Sequence, residues 1–560
     1  MPASTPLPEG TPARGPEFVS PSRSAVRPLF GVLAGVVAIA LCAIVFGPAL
    51  EGDYVWDDVW LVEHNQNIIR ADGIGRLLAT DMWDSAHGKP SVCYHPVPMA
   101  TLWLQARVTG LSLVAFRLGN LAVHLMCAVL LLVFLRRQGL GRTVATAAAL
   151  FLLVHPSVTE PVLWVVGRQD SLAALCALGA LLVWPDATSR RPLPRAAAAG
   201  LLCALAFLSK EPFVVVAVLL FARTVADRVP WRRALAWLAF PVAAVAATVM
   251  LRHALAIPST AGGPVADFRV LATYATILWH YLAQLTAFDN GPAVVAFRPL
   301  PWPAVAAIYA ALAAAIVPLA RAARSGGRRA ALALVGTTWF LVSLAPHVVS
   351  VPAFGVYGNR YAYFPLMGLL VVGAAAADGL GLHARPALRR LVLLAATLVV
   401  VVASARTAAE ARAWHDDLSL SSHRLDPEDG FALQAHSSVI LRRYGCQAAL
   451  PELDRAVELA PQLGQAWHNL AGCLLTTGRF DKAVVAATRA LALQPNDPGA
   501  EYNLGAALIF AGHTSSGIAH LETAARLNPG HVLAARLLAT LRASPVSAAA
   551  PTASAPPPQR

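Results

Sequence analysis

Charge is scarce in this chain of 560 residues: only 13% are Asp, Glu, Lys or Arg, against 57% hydrophobic residues and a mean hydropathy of +0.57. The apolar residues come in long blocks instead of an amphipathic scatter, which excludes an ordinary soluble domain and points to a polytopic membrane protein. Lysine is almost missing, occurring only at Lys89, Lys210 and Lys482. The net charge of +13 is therefore carried by arginine, in short connections between apolar blocks and not along one basic stripe, so no nucleic-acid partner is expected. Cysteine is also sparse. Cys42, Cys127, Cys176 and Cys203 fall in apolar segments as gap fillers, and Cys93, Cys446 and Cys473 have no metal spacing and show no disulfide framework. No metal and no cofactor are expected. The alanine- and arginine-rich composition suggests a GC-rich bacterial genome and hence an inner-membrane location, or the endoplasmic reticulum membrane in a eukaryote.

What is present is a series of apolar segments at about 28–50, 113–135, 143–156, 171–184, 196–208, 212–224, 233–251, 302–320, 330–348, 362–380 and 389–404. Each crossing needs roughly 20 apolar residues, so these predict about 11 spans in a membrane domain covering 28–404. Residues 1–27, rich in Pro, Ser and Gly, are expected to be a disordered cytoplasmic terminus, and the first run an uncleaved anchor. The short blocks 196–208 and 212–224 flank Ser209-Lys210-Glu211-Pro212, a polar turn expected to lie recessed and line a cavity. Arginines such as Arg136, Arg137 and Arg142, Arg190, Arg191 and Arg195, or Arg321, Arg324, Arg328 and Arg329 alternate with loops of acids, aromatics and histidine. The positive-inside rule makes the arginine loops cytoplasmic and places the first outer loop (51–112), a second outer loop (252–301) and all residues after 404 outside. Segment 270–288 tempts a twelfth span, but that would break the alternation; an interfacial helix is expected, with its aromatic and polar residues at headgroup level.

After the last span the period changes. Pro427, Pro461, Pro495 and Pro529 are 34 residues apart, and Ala456, Ala490 and Ala524 keep that step. In 464–497, Trp467, Leu470, Gly478, Ala483, Ala490 and Pro495 match the tetratricopeptide pattern that lets two antiparallel helices pack closely. The units 430–463 and 498–531 repeat it, 532–543 reads as a capping helix and 544–560 as a disordered tail. The connection 405–429, with Trp414 and Leu418, looks like half a repeat. The expected fold class is thus all-α: a polytopic membrane helical bundle followed by an α-solenoid. Such arrays present a concave surface to a peptide or partner; a spacer or oligomerisation arm is the alternative.

The charge outside the arginine loops converges on one membrane face. Asp57 and Asp58 sit between Trp56 and Trp60, aromatics suited to a lipid–water boundary. Tyr94-His95-Pro96 follows, then His155-Pro156-Ser157-Val158-Thr159-Glu160, Gly167-Arg168-Gln169-Asp170, Lys210-Glu211 and Asn359-Arg360-Tyr361. Ionisable groups at membrane depth are functional candidates by default. Arg168, Lys210, Arg360 and His155 are the residue types that hold a phosphate, arginine as a fork and lysine as a point charge. Plainer readings stand beside these: His155-Pro156 as a helix cap, Arg168 paired with Glu160 or Asp170, Lys210-Glu211 as a self-neutralising pair, and the two aspartates as solvated loop acids.

In order along the chain, these motifs resemble the membrane O-mannosyltransferases with carboxy-terminal tetratricopeptide repeats, of the GT-C glycosyltransferases, over about 28–531. The resemblance rests on Val55-Trp56-Asp57-Asp58, the 155–160 and 167–170 motifs, Leu208-Ser209-Lys210-Glu211 and Asn359-Arg360-Tyr361; Tyr94-His95-Pro96-Val97 departs from it where an arginine is expected before the proline. It implies a polyprenyl- or dolichyl-phosphate-linked donor, mannose above all, and a protein Ser or Thr acceptor held in part by the repeats. On that basis Asp57 is expected to be the general base, with Asp58 orienting the acceptor or pairing with a cation. His95, His155, Glu160, Arg168, Asp170, Lys210, Glu211, Arg360 and Tyr361 are then expected to line the donor site. Two other classes remain: a GT-C transferase acting on an envelope glycan or lipid, and a non-enzymatic membrane-anchored repeat scaffold.

Overall fold

The computed structural model describes residues 26–87, 91–257, 269–291, 295–381 and 385–543. Residues 1–25 of the expected disordered terminus and the tail 544–560 lie outside the described residues, as do 258–268 and 292–294 of the second outer loop. Among the described residues the architecture is all-α, apart from a two-residue strand pair, Val295–Ala296 against Val356–Tyr357.

Among the described residues, eight helices are long and apolar enough to cross a membrane: Gly31–Ala49, Leu113–Arg137, Pro192–Ser209, Trp231–Ala254, Trp302–Arg324, Arg328–Pro352, Asn359–Gly379 and Pro386–Ala413. The pair Arg142–Val154 and Pro156–Leu163, bent by 61°, makes a ninth if counted as one broken span. The chain is a multi-pass membrane protein, but the expected eleven crossings are not found. Segment 171–184 belongs to Arg168–Val183, 16 residues long. Segment 212–224 is a 3-10 turn, Glu211–Val215, followed by Val216–Ala226, only 11 residues. At 1.5 Å per residue neither spans roughly 30 Å of hydrocarbon. For the second the cause is local: Pro212 lacks the N–H that would continue Pro192–Ser209 through the turn, as Pro156 does at the bent pair.

Segment 270–288 forms the helix Arg269–Ala287, which turns part of its polar face into the protein. Tyr281 and Gln284 are buried, while Trp279 remains exposed. The bundle is tightest where Arg328–Leu344 meets Tyr363–Gly379: a Cβ on Gly336 would stand 2.7 Å from the Gly368 carbonyl, and one on Gly368 2.7 Å from that of Gly336. Small residues permit such close backbone approach in membranes. Around that contact Trp339, Phe134, Phe364 and Phe213 pack together.

The last crossing helix, Pro386–Ala413, runs on past the apolar segment, and the chain then turns through Trp414 into a short helix, Asp417–Ser422. Three antiparallel hairpins follow: Gly430–Tyr444 with Cys446–Leu459, Gly464–Thr476 with Phe480–Leu493, and Pro498–Phe510 with Thr514–Leu527. Val532–Ala543 closes the array. Buried alanines at 483, 486, 487 and 490 let the paired helices approach. The first repeat also docks on the membrane domain. Asp429 Oδ2 accepts the Ala296 N–H at 3.3 Å, and Phe431 lies where a Cβ on Gly355 would come within 2.6 Å of its ring.

Candidate active site

The loop that leaves the first span is held in an unusual path. Asp53 N–H donates to the His415 carbonyl at 2.7 Å, and Trp56 N–H donates to Asp417 Oδ1 at 2.7 Å. Trp56 takes φ +50°, a left-handed conformation costing on the order of 1–3 kcal/mol for a bulky residue. Edge contacts with Trp164 and Trp414, at ring-centroid separations of 6.1 and 5.5 Å, keep it there. A π-turn, Val59–Glu63, follows directly, a distortion often found beside functional residues.

This path sends the two neighbouring aspartates in different directions. Asp58 is wholly buried, and its two oxygens accept the N–H groups of Val165 and Val166, each at 2.9 Å. Burial pushes its carboxyl up to about 8, although those two N–H groups and Arg117 pull it down. Asp58 is thereby occupied with backbone, not with a substrate or a partner cation. Asp57 is half-buried, and among the described residues its carboxylate accepts no hydrogen bond. Burial raises its pKa; Arg360 opposes this, and the negative charges of Asp417 and Glu160 add to it.

Opposite Asp57, Glu160 accepts the Arg360 backbone N–H at 2.8 Å and its Nη1 at 2.5 Å. The Arg360 guanidinium also lies over the rings of Trp164 and Tyr361, at 5.0 and 4.8 Å. Beyond Tyr361, the Lys210 ammonium sits 5.2 Å from that ring and pairs with Asp170. His347 stacks on Tyr361 at 3.9 Å. Lys210, Asp170, His347, Arg360 and Tyr361 line a small cavity of about 20 Å³. Asp170 Oδ2, buried there, has no hydrogen-bond partner, a costly state for a carboxylate. A second cavity of about 20 Å³ lies on the other side of the Glu160–Arg360 pair, lined by Trp56, Glu160, Asn290, Asn359, Glu410 and Trp414. One side is thus built around cations, and the other around carbonyls, carboxylates and indoles.

Four expected donor-site residues go elsewhere. Arg168 donates to Asn120 Oδ1 and Gln105 Oε1, both at 2.6 Å, and to the Phe116 carbonyl at 3.0 Å. It pairs with neither Glu160 nor Asp170, and its guanidinium does not line the Lys210 cavity. His155 accepts the Ser157 N–H at Nδ1 (3.1 Å) and meets the Leu285 carbonyl at Nε2 (3.0 Å), a capping role at the bend. His95 contacts Glu211 at 2.6 Å, and Arg252 grips the other Glu211 oxygen at 2.6 Å. Lys210 and Glu211 therefore do not neutralise each other; Glu211 ties the first outer loop beside the turn that carries Lys210. Among the described residues no group of three or more His, Cys, Asp or Glu is placed to hold a metal ion.

The structure also shows residues that the sequence reading passed over. Arg117 is wholly buried, donating to the carbonyls of Trp414 (2.7 Å), Ala49 (2.9 Å), Leu163 (3.0 Å), Glu51 (3.0 Å) and Asp53 (3.4 Å). Asn120 links Arg168 to the Trp164 carbonyl, and His124 meets the Tyr363 hydroxyl. Their spacing inside an apolar span, on one helix face, was the available signal. Asp417, Glu410 and His347 carried no such mark.

A family model described as Dolichyl-phosphate-mannose-protein mannosyltransferase matches residues 89–253, and one described as Tetratricopeptide repeat matches 464–497. The first match holds Glu160, Asp170 and Lys210 but neither Asp57 nor Arg360. Among curated proteins, Protein O-mannosyl-transferase TMTC1 of Mus musculus is 30% identical over 177 residues, 30% of this chain and 18% of that protein. The Homo sapiens TMTC1 is 30% identical over 153 residues, 27% of this chain and 17% of that protein. Homo sapiens TMTC4 is 30% identical over 168 residues, 27% and 22% of the two chains. The chain spans about a fifth of the length of the curated relatives it matches. A solved tetratricopeptide protein, YrrB, matches over 41% of this chain and 88% of its own at 19% identity, with a TM-score of 0.19. The chain resembles the membrane O-mannosyltransferases that bear tetratricopeptide repeats.

Proposed function

We propose that this protein is a glycosyltransferase that moves a sugar, mannose by resemblance, from a polyprenyl- or dolichyl-phosphate carrier to a Ser or Thr hydroxyl of a polypeptide. The reaction takes place on the membrane face opposite the arginine loops. That face is extracytoplasmic, in a bacterial inner membrane or its eukaryotic counterpart in the endoplasmic reticulum. The observation that carries this reading is Asp57: a half-buried carboxylate with a raised pKa and, among the described residues, no hydrogen bond, in the field of Arg360, whose guanidinium shares the Tyr361 ring with the Lys210 ammonium.

Asp57 takes the proton of the acceptor hydroxyl as its oxygen forms a bond to the anomeric carbon. The carbon–oxygen bond to the carrier phosphate breaks in the same step, and polyprenyl phosphate departs. One displacement inverts the anomeric centre. A raised carboxylate pKa brings the base nearer to its task at neutral pH. Arg360 and Lys210 stabilise the charge growing on the leaving phosphate. Asp170 and Glu160 hold those two cations in place before substrate arrives, and Tyr361, stacked on His347, separates them. The cavity on the Trp56, Asn290 and Glu410 side then receives the acceptor hydroxyl. Asp58, Arg168, His155, His95 and Glu211 act indirectly, by fixing the loops that carry Asp57, Glu160 and Lys210.

Purified protein incubated with radiolabelled polyprenyl phosphate-mannose and a Ser/Thr-rich peptide should label the peptide. Asp57→Asn should stay folded and inserted yet lose the label by roughly 10²–10⁴-fold. A variant that retains most of its transfer activity refutes the base assignment; label appearing in glycan or lipid and never in peptide refutes the acceptor.

A further inference from the structure

The loop carrying Asp57 is not held by the membrane helices alone. Its backbone is gripped by the short linker between the last span and the solenoid. The His415 carbonyl takes the Asp53 N–H and Asp417 Oδ1 takes the Trp56 N–H, both at 2.7 Å, and Trp414 packs edge-on against Trp56. The approach is so close that a Cβ on Gly52 would sit 2.1 Å from the His415 oxygen. Asp417 has a second tie. Its Oδ2 accepts from Arg442 Nη2 at 2.7 Å, and Arg442 belongs to Gly430–Tyr444, the first helix of the first repeat. Beside it, Arg443 approaches Asp416, whose Oδ1 caps the linker helix through the Ser419 N–H at 2.7 Å. One carboxylate thus joins the repeat array to the residue immediately before Asp57.

We infer that Asp417 is a positioning residue through which the first tetratricopeptide repeat sets the pose of Asp57, so that seating an acceptor polypeptide on the solenoid is transmitted to the transfer site by way of Arg442. This rests on the reading of Asp57 as the base. The link is mechanical, because Asp417 receives the N–H of Trp56, a residue held in a left-handed backbone conformation. It is also electrostatic, because Asp417 shares the surroundings of Asp57 with Arg360, Glu160 and the adjoining Asp58. Neither Asp417 nor Arg442 touches the Lys210 cavity, so substitutions there leave the donor-phosphate side intact.

Hydrogen exchange over residues 53–61, measured on the full chain in detergent micelles, reads the mechanical link whatever reaction the protein performs. Asp417→Ala and Arg442→Ala should both speed exchange at the Trp56 amide, and unchanged exchange in both variants overturns the inference. Transfer assays read its consequence. Asp417→Ala should lower kcat by roughly tenfold to a hundredfold, the size expected when a catalytic group is displaced by about 1 Å, with the donor KM within about twofold of wild type. Asp417→Asn keeps an acceptor oxygen for Trp56 but removes one of the negative charges that, together with burial, raise the Asp57 pKa. It should keep most of its kcat while the acid limb of the kcat/KM profile moves to lower pH, which a purely structural residue would not produce. Acid limbs that superimpose for wild type and Asp417→Asn, or an Asp417→Ala kcat within twofold of wild type, overturn the coupling. An active Asp57→Asn overturns the base reading separately, without altering the exchange result.

Discussion

Replacing Glu160 by glutamine removes one negative charge and almost no volume, at the wall between the two cavities. The carboxylate serves two donors of one residue, the Arg360 N–H at 2.8 Å and its Nη1 at 2.5 Å. Glutamine offers one acceptor oxygen, so one of those donors meets an NH₂ group. Losing a charged hydrogen bond costs about 1.5–3 kcal/mol, and stranding one member of a buried ion pair costs about 3–5 kcal/mol. The Glu160 side chain is 5% exposed but that of Arg360 is 23% exposed, and the guanidinium keeps its contacts with Trp164 and Tyr361. Those features pull the expected loss toward the lower end, about 3 kcal/mol. Unfolding in detergent for Glu160→Gln, Arg360→Gln and the double variant closes a cycle whose coupling should be about 2–3 kcal/mol. In the transfer assay Glu160→Gln should raise the donor KM, since Arg360 is no longer pre-placed for the leaving phosphate. A coupling below about 0.5 kcal/mol, the level at which independent sites add, would refute the claim that this pair organises the site.

Four further outcomes follow from the same geometry. The Asp58 carboxyl, at about 8 in the fold against an ordinary 3.8, binds its proton more tightly folded than unfolded. Its contribution to stability is therefore full below about pH 4 and is lost as pH rises through about 8; thermal unfolding between pH 5 and 9 should show that slope in the wild type and a flatter one in Asp58→Asn. Gly52→Ala meets both φ +129° and the His415 carbonyl, so it should cost more than about 1 kcal/mol in unfolding assays and reduce transfer. Arg117→Met strands the Trp414, Ala49, Leu163 and Glu51 carbonyls, and at roughly 1–3 kcal/mol for each unpaired group it should abolish stable expression, with Arg117→Lys giving little rescue because an ammonium lacks the fork. Lys210→Met leaves Asp170 buried without its cation; donor KM should rise while an acceptor titration changes little.

The bundle-plus-solenoid plan was legible because both halves are periodic: long apolar blocks in one, a 34-residue step in the other. The number of crossings was not, since hydropathy alone counts an apolar stretch whether or not Pro156 or Pro212 breaks it. At the site, motif order marked Asp57, Glu160, Lys210 and Arg360 as candidates, and these are the residues found near one another. It did not show that Asp58 would close on the N–H groups of Val165 and Val166, because that depends on a path through a left-handed Trp56 held from 361 residues away. Arg168 misled for a related reason: a buried arginine looks the same in sequence whether it awaits a phosphate or already holds Asn120, Gln105 and a carbonyl. Arg117 was hidden by the hydrophobic residues around it, although a charge inside an apolar span is itself informative.

The separation of Trp56 from Asp417 also has a consequence for biogenesis. The two halves of that hydrogen bond leave the ribosome 361 residues apart, an interval of roughly 20–70 s at about 5–20 residues per second. Throughout it Arg117 can hold the Glu51 and Asp53 carbonyls of the first outer segment, but the Trp56 N–H has no Asp417 to receive it. A chain that stops between Tyr361 and Trp414 would carry Asp57, Glu160, Lys210 and Arg360 and still lack the Asp417 acceptor for the Trp56 N–H. That acceptor arrives only when the linker emerges, after the whole membrane domain has been made and before the repeats are.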